Sequence, residues 1–198
     1  MPRSERRAQL LEAAREVFVE RGYHAALMDE IAERAGVSKP VLYQHFPGKL
    51  DLYLALLDSS IDAFVASVTD ALDSTHDNKR RVAAAMETFF DFVGSESGTF
   101  RLLFESDLTS ADAVRDRLDS LTRRCAQAIA PVIAEDTGCS TEESQLLAAG
   151  MVGMAQVAAR FWLASDGSLP RPEATRLIST LGWRGIRGFP RRDGDRTE

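Results

Sequence analysis

Cys125 and Cys139 are the only cysteines in 198 residues. Their surroundings lack the other ligands of a zinc site, so in a reducing compartment both are expected to be free thiols. The three histidines, His24, His45 and His76, are scattered and show no His-Glu-x-x-His spacing, which leaves no metal expected. There is no Gly-rich phosphate loop, no Ser nucleophile motif and no Cys-x-x-Cys. Nothing therefore argues for catalytic residues, an enzyme or a bound cofactor. No unbroken apolar run reaches transmembrane length, and no charged-then-apolar leader opens the chain. A cytoplasmic protein without membrane contact is the expectation. Strand alternation is missing too, so the chain reads as all-α.

What is present is ordinary in amount and uneven in place. Apolar residues make up 44% and charged residues 27%, the balance of a globular chain with a real core. The net charge of −6 hides an asymmetry. Residues 1–49 hold eight Lys/Arg against seven Asp/Glu, whereas the remainder holds 16 against 23. Overall charge bears on solubility, while a polyanion responds to the local field of the face it meets. The split suggests a small head on an acidic body.

The head is organised around Gly36-Val37-Ser38-Lys39-Pro40-Val41-Leu42-Tyr43-Gln44-His45-Phe46. Before it, Leu10, Leu11, Ala14, Val17 and Phe18 recur at helical spacing over residues 4–22, and a second helix is expected from 28 to 35, burying Ile31. Gly36 can take the left-handed conformation that closes that helix. Ser38 can cap the next one, and Pro40 falls in its first turn, where a missing N–H is harmless. Leu42 and Phe46, four apart, share an inward face. Lys39, Val41, Tyr43 and Gln44 are left pointing outward from the start of a short helix, a shape that suits the DNA major groove. In that groove Gln44 could pair with adenine and Val41 could pack on a thymine methyl, while Lys39 and Tyr43 suit phosphates.

Pro47-Gly48 breaks the chain, and a long helix is expected over residues 49–73, with Leu50, Leu54, Leu57, Ile61, Phe64, Val68 and Leu72 as its apolar stripe. At 1.5 Å per residue it would be roughly 35 Å long. Further helices are expected at 80–93, around Phe100 to Phe104, at 111–135 (with Pro131 as a possible kink), at 142–165 and at 172–187. The charged, Gly- and Pro-containing tail 190–198 reads as disordered. Phe64, Val68 and Leu72 with Phe89, Phe92, Phe100, Phe104, Phe161 and Trp162 could line an apolar effector cavity or could be plain core; spacing alone leaves both open. The helix at 142–165 is apolar nearly all round and so needs partners on both sides. Leu146, Gly150, Gly153, Met154 and Val157, with Leu177, Leu181 and Trp183 of the last helix, are the candidate dimer interface. The alternative is burial within one chain.

Residues 4–57 resemble the TetR family of bacterial transcription regulators. The likeness rests on Leu11-x-x-Ala14-x-x-x-Phe18-x-x-x-Gly22-Tyr23, then Ile31-Ala32-x-x-Ala35-Gly36-Val37-Ser38, then Leu42-Tyr43-x-His45-Phe46-x-x-Lys49. The resemblance implies a homodimer reading a palindromic double-stranded operator, cytoplasmic and nucleoid-associated. It further implies an N-terminal helix-turn-helix domain (1–49) joined by a long helix to an effector-binding and dimerisation domain (50–189). It extends the DNA-contacting set to Ser38, Lys39, Pro40, Val41, Tyr43, Gln44, His45 and Lys49. A narrower likeness, through Gly22-Tyr23-His24-Ala25-Ala26, Phe89-Phe90-Asp91-Phe92, Arg101-Leu102-x-Phe104-Glu105 and Val152-Gly153-Met154, is to acyl-CoA-responsive regulators of fatty-acid synthesis within that family. That implies a long-chain acyl-CoA effector and an activating role. The alternatives are a repressor of an efflux or catabolic gene answering another hydrophobic small molecule, and a helical enzyme or lipid carrier with an incidental head. One departure stands out: where the family usually has a small Ser or Thr before the second helix, this chain has Leu27, and such a lost cap typically costs about 0.5–2 kcal/mol.

Overall fold

The computed structural model describes residues 2–95, 98, 100, 102, 112–165 and 168–187. Phe104, most of the short helix expected around it, and the tail 190–198 lie outside these residues. Among the described residues the chain is helical throughout, in eight helices: α1 (Arg3–Ala25), α2 (Met28–Arg34), α3 (Lys39–His45), α4 (Lys49–Asp73), α5 (Asn78–Val93), α6 (Asp112–Thr137), α7 (Thr141–Ala164) and α8 (Arg171–Arg187). They form two compact units, Met1–Asp62 with Ser95–Leu118, and Ala63–Gly94 with Asp119–Glu198.

In the first unit α1 buries Leu10, Ala14, Val17 and Phe18, α2 buries Ile31 and Ala32, and α3 buries Leu42, with Phe46 just beyond it. Gly36 has φ +63°, the left-handed turn expected between α2 and α3. Gly22, with φ +73° and ψ 166°, breaks the helical path of α1 as expected, and one further turn follows the kink to Ala25. The early stripe of α4 also differs from expectation. Leu50 is 45% exposed and Leu54 only half-buried, while Leu52, Tyr53 and Leu56 are buried with Leu57 and Ile61. The reason is an aromatic cluster: the Tyr53 ring stands edge-on to Phe18 and against Tyr23, each at 5.1 Å, and its hydroxyl donates to the Leu102 carbonyl at 2.7 Å. A buried tyrosine with its O–H satisfied outcompetes an exposed leucine for the interior.

Polar clasps hold this unit outside its core. The Arg34 guanidinium forks onto Glu16 and Glu20, each N–O distance 3.0 Å, tying α2 to α1. Those hydrogen bonds hold Glu20 below the usual carboxylate range and Arg34 above its ordinary value. Gln9 donates to the carbonyl of Ala35 at 2.9 Å, fixing the turn after α2 against α1.

In the second unit α5 buries Val82, Met86, Phe89 and Phe90, packing on both α7 and α8. The side that α7 buries is a row of small residues, Ala148, Val152, Ala155 and Ala159, at alternating four- and three-residue steps. Its other side is open: Leu146, Val157 and Phe161 are 75%, 69% and 75% exposed. Both α5 and α7 are capped where they leave their loops. Asp77 accepts from the Arg80 backbone N–H at 3.0 Å, and Ser140 and Glu143 form a reciprocal capping box at the start of α7. Helix α6 continues through Pro131 to Thr137 rather than ending near it. Cys125 is buried and its thiol pushed up to about 11 by desolvation, so it stays protonated and inert. By length and a mean hydropathy of 1.4, α4 and α7 could each cross a membrane. Yet α4 buries its apolar stripe, and the exposed apolar row of α7 is flanked by Gln145 and Arg160, a pattern suited to a protein partner.

Candidate nucleic-acid interface

Helix α3 is only seven residues long, and its two faces have opposite fates. Leu42 is fully buried and Phe46 nearly so, with the Arg7 guanidinium 4.9 Å from the Phe46 ring centre. The other face turns Ser38, Lys39, Pro40, Tyr43 and Gln44 to solvent, with Val41 and His45 half-buried beside them. The inward anchors thus fix the helix so that its amide and phenol point outward. Ser38 does occupy the N-cap position, but its hydroxyl makes no capping bond, contrary to expectation. Its backbone carbonyl accepts from Val41 and Leu42 instead, which leaves the exposed hydroxyl available to another acceptor or donor. Leu27 stands at the N-cap of α2, likewise without a side-chain bond and 62% exposed.

The cations of this face are partly engaged within the chain. Lys39 meets Asp29 at 2.5 Å, with both side chains about 60% exposed, a surface pair easily exchanged for another anion. The Lys49 ammonium donates to the carbonyls of His24 and Ala26, at 3.1 and 3.0 Å, and sits 4.7 Å from the centre of the Tyr23 ring. It straps the kinked end of α1 to the start of α4 and retains one of its three donors.

Sequence reasoning overlooked Arg3 and Arg6. With Val41, Gln44 and His45 they line an open cleft of about 580 Å³ beside the outward face of α3. No spacing within α1 announces them: Gln9 reaches the turn after α2 only in the folded chain, and that contact sets Arg6, one helical turn earlier, alongside the next element. Arg6 also donates to Gln9 at 2.7 Å, which orients it. Chemically the cleft combines an amide able to pair with a base edge and two guanidiniums suited to phosphate.

The effector candidates are less united. Phe64, Val68, Leu72, Phe89 and Phe100 are buried, but Phe64 packs ring on ring with Phe89 and Phe92, at 5.5 and 4.5 Å. Trp162 lies against Phe90, and its indole N–H donates to the Leu169 carbonyl at 2.7 Å. Phe161 is a correction: at 75% exposure it faces solvent beside Val157, because its position on α7 is opposite the alanine row. An enclosed apolar cavity of about 20 Å³ does exist, lined by Leu72, Val82, Met86, Val132, Ile133 and Met151 among others. Trp183, one of the dimer candidates, is half-buried and lines this cavity. Of those, Leu146, Gly150, Val157, Leu177 and Leu181 are exposed, and Gly153 has open space where a Cβ would be. Met154 turns the other way, its methyl 3.3 Å from where a Cβ on Gly182 would sit.

Three comparisons bear on this arrangement. Residues 10–56 match the family model of bacterial regulatory proteins, tetR family. The chain is 45% identical over 190 residues to the HTH-type transcriptional activator FasR of Mycolicibacterium smegmatis, covering 96% of this chain and 87% of that one. Among solved structures, a TetR-like transcriptional regulator from Rhodococcus sp. RHA1 superposes with a TM-score of 0.71 at 30% identity, over 95% of this chain and 99% of the other. FadR of Bacillus subtilis, solved in complex with stearoyl-CoA, shares the fold with a TM-score of 0.72 at 19% identity, over 88% and 96%.

Proposed function

The chain belongs to the TetR family of transcription regulators, and on that premise we propose that it is a homodimeric, acyl-CoA-responsive regulator of fatty-acid or lipid metabolism genes that reads a palindromic operator. The observation that carries the DNA-reading part is the split character of α3, with Leu42 buried and Tyr43 and Gln44 exposed on a helix held by a left-handed glycine turn. Residues 1–49 act as the DNA-binding domain and 50–189 as the effector and dimerisation domain. Gln44 and Val41 read base edges. Lys39, Tyr43, His45 and the remaining donor of Lys49 hold phosphates, and Ser38 and Pro40 shape the first turn. Arg3 and Arg6 add two further phosphate contacts. Two heads then visit successive major grooves about 34–36 Å apart. Such a regulator works in the cytoplasm, where the chromosome is.

The acyl-CoA part is supported by the extent of the likeness to FasR and by a relative of the same fold that holds stearoyl-CoA. Binding in the body would shift an existing equilibrium of head arrangements, and only by as much as the ligand's affinity differs between them. The test is an operator-binding titration followed by fluorescence anisotropy. Palmitoyl-CoA at micromolar level should change operator affinity, while a panel of other hydrophobic compounds should not. If operator affinity is indifferent to palmitoyl-CoA but responds to one of the panel, the alternative effector class replaces this one.

A further inference from the structure

The second unit carries a feature that the reading above does not use. An open groove of about 750 Å³ runs between α5 and α8, within the size range of small-molecule sites. The two helices lie antiparallel along it: Asp91 at the end of α5 pairs with Arg171 at the start of α8, and Val82 lies near Gly182. Lys79 and Arg184 therefore share the opposite end, beside Trp183. Both are exposed, and neither has an ion pair among the described residues. Between the ends lie the hydroxyls of Thr175, Ser179 and Thr180. The hydroxyls of Ser179 and Thr180 donate to helix carbonyls, which leaves their oxygens free to accept.

Trp183 lines this groove and also the enclosed apolar cavity behind it. At about 20 Å³ the cavity has room for roughly one water molecule. Its wall, however, is soft. Met86 and Met151 line it, and the methyls of Met151 and Met154 approach the buried Gly182 next to Trp183. Unbranched thioether side chains repack at little strain. Trp183 thus borders both a groove that holds Lys79 and Arg184, with Glu87 and Asp91 further along it, and a small apolar cavity, the two kinds of surface an amphiphile needs.

We propose that the groove between α5 and α8 takes the phosphate-bearing head of an acyl thioester at Lys79 and Arg184, and that Trp183 is the gate through which its chain enters the apolar interior. This rests on the acyl-CoA reading and gives it a location. The ammonium and guanidinium supply charge-assisted donors to phosphate, and the methionines yield to the chain. An acyl chain with a bare carboxylate brings a single charge in place of the several on the coenzyme's phosphates, and so gains less from the cations.

The experiment compares free coenzyme A, palmitoyl-CoA and palmitate by calorimetry on the wild-type protein and on Lys79→Ala/Arg184→Ala, whose exposed side chains leave the core untouched. A Trp162→Phe variant makes Trp183 the sole tryptophan reporter. The double variant should lose palmitoyl-CoA affinity by about ten-fold or more. Free coenzyme A, bound weakly by the wild type, should no longer bind, and palmitate, with its single charge, should lose less affinity than palmitoyl-CoA. Trp183 emission should shift when palmitoyl-CoA is added. If the double variant binds palmitoyl-CoA as the wild type does, or if Trp183 emission is indifferent to it, the groove and gate are wrong while the effector reading stands. If the wild type binds no palmitoyl-CoA and operator affinity does not change, the effector reading fails as well.

Discussion

Helices α3 and α7 each turn a row of side chains to solvent, and the two rows have opposite chemistry. On α3 the row is Lys39, Tyr43 and Gln44, flanked by Arg3 and Arg6; on α7 it is Leu146, Gly150, Val157 and Phe161, continued in kind by Leu177 and Leu181 of α8. The same device produces both: an amphipathic helix fixed by its buried side, through Leu42 in one case and the alanine row in the other. What differs is the partner each open side can satisfy. A polar, cation-flanked row gains from a hydrated polyanion. A row of large apolar groups gains only from a dry surface, and a second copy of the same face is self-complementary under two-fold symmetry.

The sharpest way to break the comparison is Phe161→Asp. A carboxylate in the middle of an apolar interface should leave monomers in sedimentation and, by removing the paired head, lower operator affinity by about 10²–10⁴-fold. A variant that stays dimeric with unchanged affinity would assign the α7 row elsewhere. Gln44→Ala should cost on the order of 1–3 kcal/mol at one base pair per half-site. An unaltered binding profile across operator variants would remove Gln44 from direct readout. Arg3→Ala and Arg6→Ala should weaken all sequences alike, each lowering the magnitude of the salt slope by about one for every phosphate that a head no longer neutralises. An unchanged slope in either variant takes that arginine off the phosphate list. The smallest effect is a contrast in stability. Ser140→Ala, which removes a reciprocal capping box, should cost about 1 kcal/mol in denaturant unfolding, whereas Ser38→Ala, which removes no capping bond, should cost almost nothing. Equal costs would mean that Ser38 does cap α3 in solution.

Much of the head was legible in the residues because its signals are local. The glycine turn at Gly36, the inward pair Leu42 and Phe46 and the outward Tyr43 and Gln44 all follow from spacing within one short segment. The capping hydroxyl of Ser38 was not, since residue type permits a cap bond but the rotamer decides whether it forms. The start of the α4 stripe failed for a tertiary reason. Leu50 and Leu54 fit the period as well as Tyr53 does, and only Phe18, Tyr23 and the Leu102 carbonyl select the tyrosine. Phe161 faces solvent on the same ground: on a helix apolar nearly all round, composition gives no direction, and the packing of α5 against α7 assigns it.

Helix positions, the all-α class and the outward chemistry of α3 were thus determined by the sequence itself, because hydrogen bonding and side-chain periodicity repeat every three to four residues. The folded chain alone decided which apolar side chains meet each other and which are left facing out. It also decided that Lys49 straps α1, that Arg3 and Arg6 stand beside Gln44, and that Trp183 lines both the groove between α5 and α8 and a small apolar cavity. Each of those depends on residues far apart in the chain competing for the same space, and no period within one segment encodes the outcome of that competition.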